Sequence, residues 1–169
     1  MKDMNEISNS TPRSSSESRA EMIEVVLPND GNPLGNILGG RVMHLIDIAG
    51  AIAAHRHSRG PVVTASMDSV DFTHAIRVGQ MVVLQSQITA AFRTSMEVKV
   101  DVYCEDYNTS RRLRTSTAYL TFVAIDAAGK PRPVPPLLVT TEAEKLLYQE
   151  ACLRRQERLA RHQRNKGPA

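Results

Sequence analysis

From Met96 to Cys104 apolar and polar residues alternate. Met96, Val98, Val100, Val102 and Cys104 fall on one side; Glu97, Lys99, Asp101, Tyr103 and Glu105 fall on the other. Period two describes a strand with one face buried and one wet. Val82, Leu84, Ile88 and Ala90 repeat the pattern, with Ser86 as a gap. Ala118 to Ile125 is apolar or nearly so on both faces, which predicts a central strand. Val62 to Phe72 reads as another strand, and its phase slips between Met67 and Val70, where a bulge is expected. Met22 to Leu27 is a short strand. Turn residues at Val78-Gly79, Phe92-Arg93-Thr94 and Asn108-Thr109-Ser110 separate the runs, and such short connections favour antiparallel hairpins.

Ahead of most of this β-rich stretch the period changes. Between Arg41 and His57, Val42, Leu45, Ile46, Ala49, Ile52 and Ala53 recur at helical spacing. Met43, Gly50, Ala51 and Ala54 make the other side small and apolar as well, so the helix should be buried. Ser58-Arg59-Gly60-Pro61 stops it. The segment before it, Pro28 to Gly40, is dense in Gly, Asn and Pro and reads as a loop. After Gly129 a proline-rich arm leads to a charged helix from Thr141 to about Gln163, where Thr141 and Glu144 have capping-box spacing. Residues 1–20 are Ser-rich and too polar to offset their ordering entropy, so disorder is expected there. The chain divides into that tail, a domain over 21–140, and a charged C-terminal segment over 141–169. One curved sheet can wrap most of the buried helix. It leaves the rest of that helix, and an edge strand, in need of a partner, which a homodimer would supply.

Composition narrows the class. Of 169 residues 41% are hydrophobic and only 4% aromatic, with no Trp, so the core must be aliphatic. No apolar run is long enough for a membrane helix, and the first residues carry no secretory signal pattern. Cys104 and Cys152 lie far apart and form no metal-ligand spacing, as expected of free thiols in a reducing cytoplasm. The net charge is +3, but much of the excess sits in Arg154, Arg155, Arg158, Arg161, Arg164 and Lys166. A basic stretch of this kind reads as a solvated helix face rather than a nucleic-acid surface.

Candidate chemistry centres on the buried helix, which holds one acid, Asp47. A carboxylate among apolar groups is costly unless it is paired or used; used, it is a general base. Asn36 stands three residues before Gly39-Gly40 at the helix start. Unpaired N–H groups and the positive dipole end collect there, a plausible oxyanion site. The plainer alternatives are a structural Asp47 and an Asn36 that only shapes the turn. His55 and His57 are two apart on a helix and cannot share a metal ion.

Residues 29–40 (Asn29-Asp30-Gly31-Asn32-Pro33-Leu34-Gly35-Asn36-Ile37-Leu38-Gly39-Gly40), followed by Met43-His44-Leu45-Ile46-Asp47, resemble the active-site stretch of the acyl-CoA hydrolase branch of hotdog thioesterases. Arg56-His57-Ser58, Val62-Val63-Thr64-Ala65-Ser66, Asp71-Phe72 and Thr94-Ser95-Met96-Glu97-Val98 are similar to that branch too, and the resemblance spans roughly residues 21–150. It implies an α+β hotdog fold: about five antiparallel strands curved around one long helix, plus a C-terminal helix. It further implies hydrolysis of acyl-CoA, with fatty acyl chains favoured, to acid and CoA, without metal or other cofactor. The site would lie between two subunits, with Asp47 of one meeting Asn36 of the other and the Gly40 N–H polarising the thioester carbonyl. Arg56, Arg59, Arg93, Thr94 and Ser95 are candidates for the CoA phosphates. A cytoplasmic homodimer, assembled further to a hexamer, is the implied state, with no nucleic-acid or membrane partner. Two other readings remain open: a hotdog dehydratase, for which His44 is the histidine beside Asp47, and a non-catalytic acyl-CoA-binding regulator.

Overall fold

The computed structural model describes residues 11–165. Its centre is a five-stranded antiparallel sheet in the order β2-β4-β5-β6-β3. The strands are β2 (Ala20–Val25), β3 (Val62–Met67), β4 (Met81–Ala91), β5 (Ser95–Glu105) and β6 (Arg112–Ala124). The sheet curls around α1 (Gly39–Ser58), and α2 (Glu142–Asn165) follows at the C-terminal end. The alternation seen in the sequence sets the faces: Val82, Leu84, Ile88, Met96, Val98, Val100, Val102, Leu120 and Phe122 form one buried cluster with Val42, Leu45, Ile46, Ala49 and Ala53 of α1. Among the described residues no helix is long and apolar enough to cross a membrane.

Two irregularities in the apolar pattern have direct causes. Ser86, the gap in β4, donates its hydroxyl to the Ala49 carbonyl of α1 at 2.8 Å, a polar tie between sheet and helix. Gly50 lies against the Phe122 ring, whose nearest carbon would stand only 3.0 Å from a Cβ at that position. The bulge expected between Met67 and Val70 falls earlier. The register of β3 on β6 shifts between Thr64 and Ser66, and the strand ends at Met67. The extra residue, Ala65, takes the alternation out of phase, and the chain leaves the edge where the Asp68 carboxylate turns to Arg158 at 2.8 Å.

Part of the basic stretch proves not to be a solvated face. Glu97 on β5 is fully buried, with Arg154 at 2.8 Å from one carboxylate oxygen and Arg158 at 3.1 Å from the other. Thr89 donates to the same carboxylate at 2.8 Å. Arg154 also lies over the Tyr119 ring at 3.6 Å and Arg155 over the Phe92 ring at 4.5 Å. These bonds hold α2 on the sheet face opposite α1. At its start the expected capping box is present: Glu144 N–H donates to the Thr141 hydroxyl, and Thr141 N–H to the Glu144 carboxylate, both at 3.1 Å. With two further backbone and hydroxyl donors from Thr140 and one from Ser15, that carboxyl is drawn down to a pKa of about 2.

The disorder expected over 1–20 does not extend to residues 13–18; residues 1–10 lie outside the described residues. Strand β1 (Arg13–Ser14) pairs in parallel with β7 (Leu137–Leu138), and Ser15–Glu17 forms a 3₁₀ turn closed by a Ser14–Glu17 capping box. What the composition could not show is the proline-rich arm as a docking rail, whose Pro136 carbonyl accepts from Arg13 N–H. Under this clasp His57 is buried, its Nε2 at 3.0 Å from the Pro135 carbonyl while Nδ1 has no partner. A carbonyl only accepts, so Nε2 carries a proton and donates it to Pro135. Burial, opposed by that hydrogen bond and assisted by the nearby Arg13 cation, lowers its pKa below the usual value. The unfolded chain then binds a proton more readily than the folded one, so stability should fall as pH drops below about 6.5. Thermal unfolding at pH 7.5 and 5.5 checks this. The Tm loss in wild type should shrink in His57→Gln, and an equal loss in both would assign it to other groups.

Candidate active site

The loop before α1 is built to present an amide and a bare helix end. Asn32 Oδ1 accepts the N–H groups of Leu34 (3.0 Å) and Asn36 (3.1 Å), and Asn32 N–H donates to the Asn36 carbonyl at 2.7 Å. This Asx turn fixes the Asn32 carboxamide through its oxygen and leaves its NH₂ as the outward donor. Asn36 itself is positioned by backbone, through a bridge to Arg77. An Asp30–Arg41 ion pair at 3.0 Å ties the loop to the first turn of α1. The residue preceding the helix is Leu38, which offers no side-chain cap, and both Arg41 and Val42 donate to its carbonyl. The exposed first-turn amides of Gly39 and Gly40 therefore face outward without a capping acceptor. Nothing lies within 4 Å of a Cβ built on Gly40, so a ligand can approach the backbone there. A cavity of about 290 Å³ opens at this point, lined by Asn32, Asn36, Gly39, Phe72 and His74 among others.

Asp47 lies farther along α1, half-buried. It accepts a hydrogen bond from the Thr64 hydroxyl of β3 at 2.7 Å. Sequence reasoning gave Thr64 no role. β3 holds two hydroxyl residues, Thr64 and Ser66, and only the packing of β3 on α1 reveals which of them touches Asp47. Eight residues separate Gly39 from Asp47, about 12 Å along the helix axis. Asn36, Gly40 and Asp47 of one chain are thus strung along α1 rather than gathered. His44, one turn before Asp47, is exposed and makes no hydrogen bond to it among the described residues. Met43, Val63 and Phe72 are each more than two-fifths exposed, so an apolar rim borders the strip that carries Asp47.

The candidates for phosphate contacts are spread over three places. Arg56 donates to the Arg19 carbonyl, and Arg59 caps the C-terminus of α1 in the left-handed region at φ 55°. Arg93 is exposed in the β4–β5 turn. Thr94 and Ser95 lie beside a different cavity, on the face that carries α2. Among the described residues no group of three or more His, Cys, Asp or Glu side chains is placed to hold a metal ion.

The model of the thioesterase superfamily matches residues 34–110. The chain is 43% identical over 142 residues to an uncharacterised acyl-CoA thioester hydrolase of Bacillus subtilis, covering 84% of this chain and 83% of that protein. It is 36% identical to the rat cytosolic acyl coenzyme A thioester hydrolase and spans only 38% of that longer chain. A Staphylococcus aureus acyl-CoA hydrolase, solved with butyryl-CoA, CoA and CoA disulfide, superposes with a TM-score of 0.85 at 37% identity, over 91% of this chain and 94% of that one. A hexameric acyl-CoA thioesterase gives 0.85 at 42%, over 90% and 97%. The S. aureus protein has also been solved with alanine in place of an aspartate, of an asparagine 15 residues before it, and of a threonine 17 residues after it. Here Asn32 and Thr64 stand at those separations from Asp47.

Proposed function

We propose, from the premise that this chain belongs to the acyl-CoA thioester hydrolases of the thioesterase superfamily, that it hydrolyses acyl-CoA to a free acid and CoA at a site completed by a second copy of itself. The observation that carries the proposal is the separation along α1. A water cannot bridge an Asp47 and a helix start that lie about 12 Å apart in one chain. Two chains packed through the exposed strips around Met43 and Phe72 would bring the Asp47 of one to the helix start of the other. A relative's hexameric state fits three such dimers. No metal or other cofactor enters, and the cytoplasm is the compartment the reading favours.

In this site the first-turn amides of Gly39 and Gly40 receive the thioester oxygen. Asp47, oriented by Thr64, takes a proton from water as that water attacks the carbonyl carbon. The tetrahedral intermediate collapses, the C–S bond breaks, and Asp47 returns its proton to the leaving sulfur, so that CoA departs as the thiol and the carboxylate base is restored. An asparagine carboxamide holds the water. Both Asn32 and Asn36 border the cavity, and we assign the role to Asn32. Its locked carboxamide and its separation from Asp47 support that choice over Asn36.

Release of free thiol from a panel of acyl-CoAs of increasing chain length tests the activity, and absence of release from every member would end the reading. Within it, Asn32→Ser keeps an acceptor for the turn but removes the amide donor. It should lose about 10²-fold in kcat, whereas Asn36→Ala should lose less than tenfold. The reverse order would return the role to Asn36.

A further inference from the structure

β3 is an edge strand that pairs only with β6 among the described residues, and its register on β6 takes two values. Thr64 stands opposite Phe122, whereas Ser66 stands opposite Thr121 and Met67 opposite Leu120, with Ala65 as the extra residue. Thr64 and Asp68 are four apart, and in a regular strand an even separation puts both side chains on one face. Here they face opposite ways. The Thr64 hydroxyl donates to Asp47 of α1 at 2.7 Å, and the Asp68 carboxylate accepts from Arg158 of α2 at 2.8 Å. Met67, just before Asp68, packs against the core, and the Asp68 N–H donates to the Tyr119 carbonyl at 3.0 Å. Only the bulge allows both side-chain bonds. Continued unbroken from Met67, the register would set Thr64 opposite Val123 and turn its hydroxyl away from α1. Continued unbroken from Thr64, it would set Asp68 opposite Ala118 and turn the carboxylate from Arg158 toward the core. Arg158 is itself a fixed anchor: a second bond runs to the buried Glu97 at 3.1 Å.

We infer that Asp68 and Arg158 are positioning residues for the catalytic base: by pinning the far flank of the Ala65 bulge from the α2 side, they hold β3 in the register that keeps the Thr64 hydroxyl on Asp47. The inference rests on the acyl-CoA hydrolase reading above. It gives α2 a part in catalysis without contact with the reacting atoms. A bulge bends its strand, and an edge strand with one neighbour has few backbone bonds to keep that bend. Released from Arg158, the bulge relaxes and the Thr64 hydroxyl shifts on Asp47. A misplacement of about 1 Å costs up to about 10²-fold in rate, so the effect falls on kcat rather than on substrate binding.

The test is a double-mutant cycle between Asp68→Ala and Thr64→Val, read as kcat and KM for one acyl-CoA. Each single variant should lose about tenfold in kcat, with KM within about threefold of wild type. The double variant should lose no more than Thr64→Val alone, because both changes act through one hydrogen bond. Asp68→Asn, which keeps an oxygen for Arg158 to bond, should recover most of the loss. Val100→Ala loosens the core on a strand that does not pair with β3, and should keep wild-type kcat per folded enzyme. Losses that multiply in the double variant, or an Asp68→Ala turnover equal to wild type, overturn the inference and leave hydrolysis standing. Hydrogen exchange supplies a readout free of activity. The β3 amides should exchange about tenfold faster in Asp68→Ala, while those of β4 and β5 keep wild-type rates. Faster exchange confined to β3, with no hydrolysis of any acyl-CoA by wild type, would uphold the pin and sink the hydrolase reading. Unchanged exchange at β3 overturns the pin whatever the activity.

Discussion

Asp47→Asn is expected to lower kcat by about 10²–10⁴-fold, the span for loss of a general base, with the melting temperature within a few degrees of wild type. The amide keeps the shape of the side chain and can still accept from Thr64, so the fold loses little while the proton acceptor disappears. Near wild-type turnover would remove Asp47 from the mechanism. The cross-chain arrangement gives this variant a second use. Asp47→Asn and Asn32→Ser chains, each nearly inactive alone, should regain activity when unfolded and refolded together. Random pairing makes about half the dimers mixed, and a mixed dimer has one intact site of two, so recovery should approach about a quarter of wild type for independent sites. A site drawn from a single chain would carry one lesion everywhere, and mixing would restore nothing.

The second large effect lies on the other face of the sheet. Arg154→Met with Arg158→Met leaves the buried Glu97 with Thr89 as its remaining side-chain partner. Breaking a buried ion pair from one side costs about 3–5 kcal/mol, read as a lowered urea midpoint or as early proteolysis of α2. Adding Glu97→Met should recover most of the loss, because a buried ionic cluster replaced by apolar groups of similar size is often neutral or better. A double variant within 1 kcal/mol of wild type would show that the apolar contacts of α2 hold it without the charges.

β4 and β5 of the central meander were legible because each shows an apolar face at period two, and β6 because its run from Ala118 to Ile125 is apolar or nearly so on both faces. α1 was legible for the same reason at its own period. What sequence could not rank were residues whose meaning lies across the fold. Glu97 looked like an ordinary wet-face position of β5, since nothing local says that a helix 57 residues away covers it. Arg154 and Arg158 looked like solvent charges for the complementary reason. Asp47 stood out as the lone acid of a buried helix. Thr64 did not, because threonine is common in strands and its partner lies on another element. Between Asn32 and Asn36 the local pattern favoured the residue nearer the glycines, whereas the turn geometry distinguishes the one whose carboxamide is fixed.

The strand order has a kinetic consequence. β4, β5 and β6 are consecutive hairpins, whereas both edges of the sheet, β2 and β3, are segments synthesised before the strands they pair with. Local pairings close early and long-range ones late. The meander should therefore form in the folding transition state, with β2, α1 and β3 closing onto it afterwards. Val100→Ala at its centre should slow refolding, and Val62→Ala at the edge should mainly speed unfolding; equal partition between the two rates would rule out this sequence of events. On the ribosome the same order means that α1, with its apolar sides, emerges and waits through more than fifty residues of translation before β6 arrives to complete its cover. That interval is when the nascent chain is most exposed to aggregation.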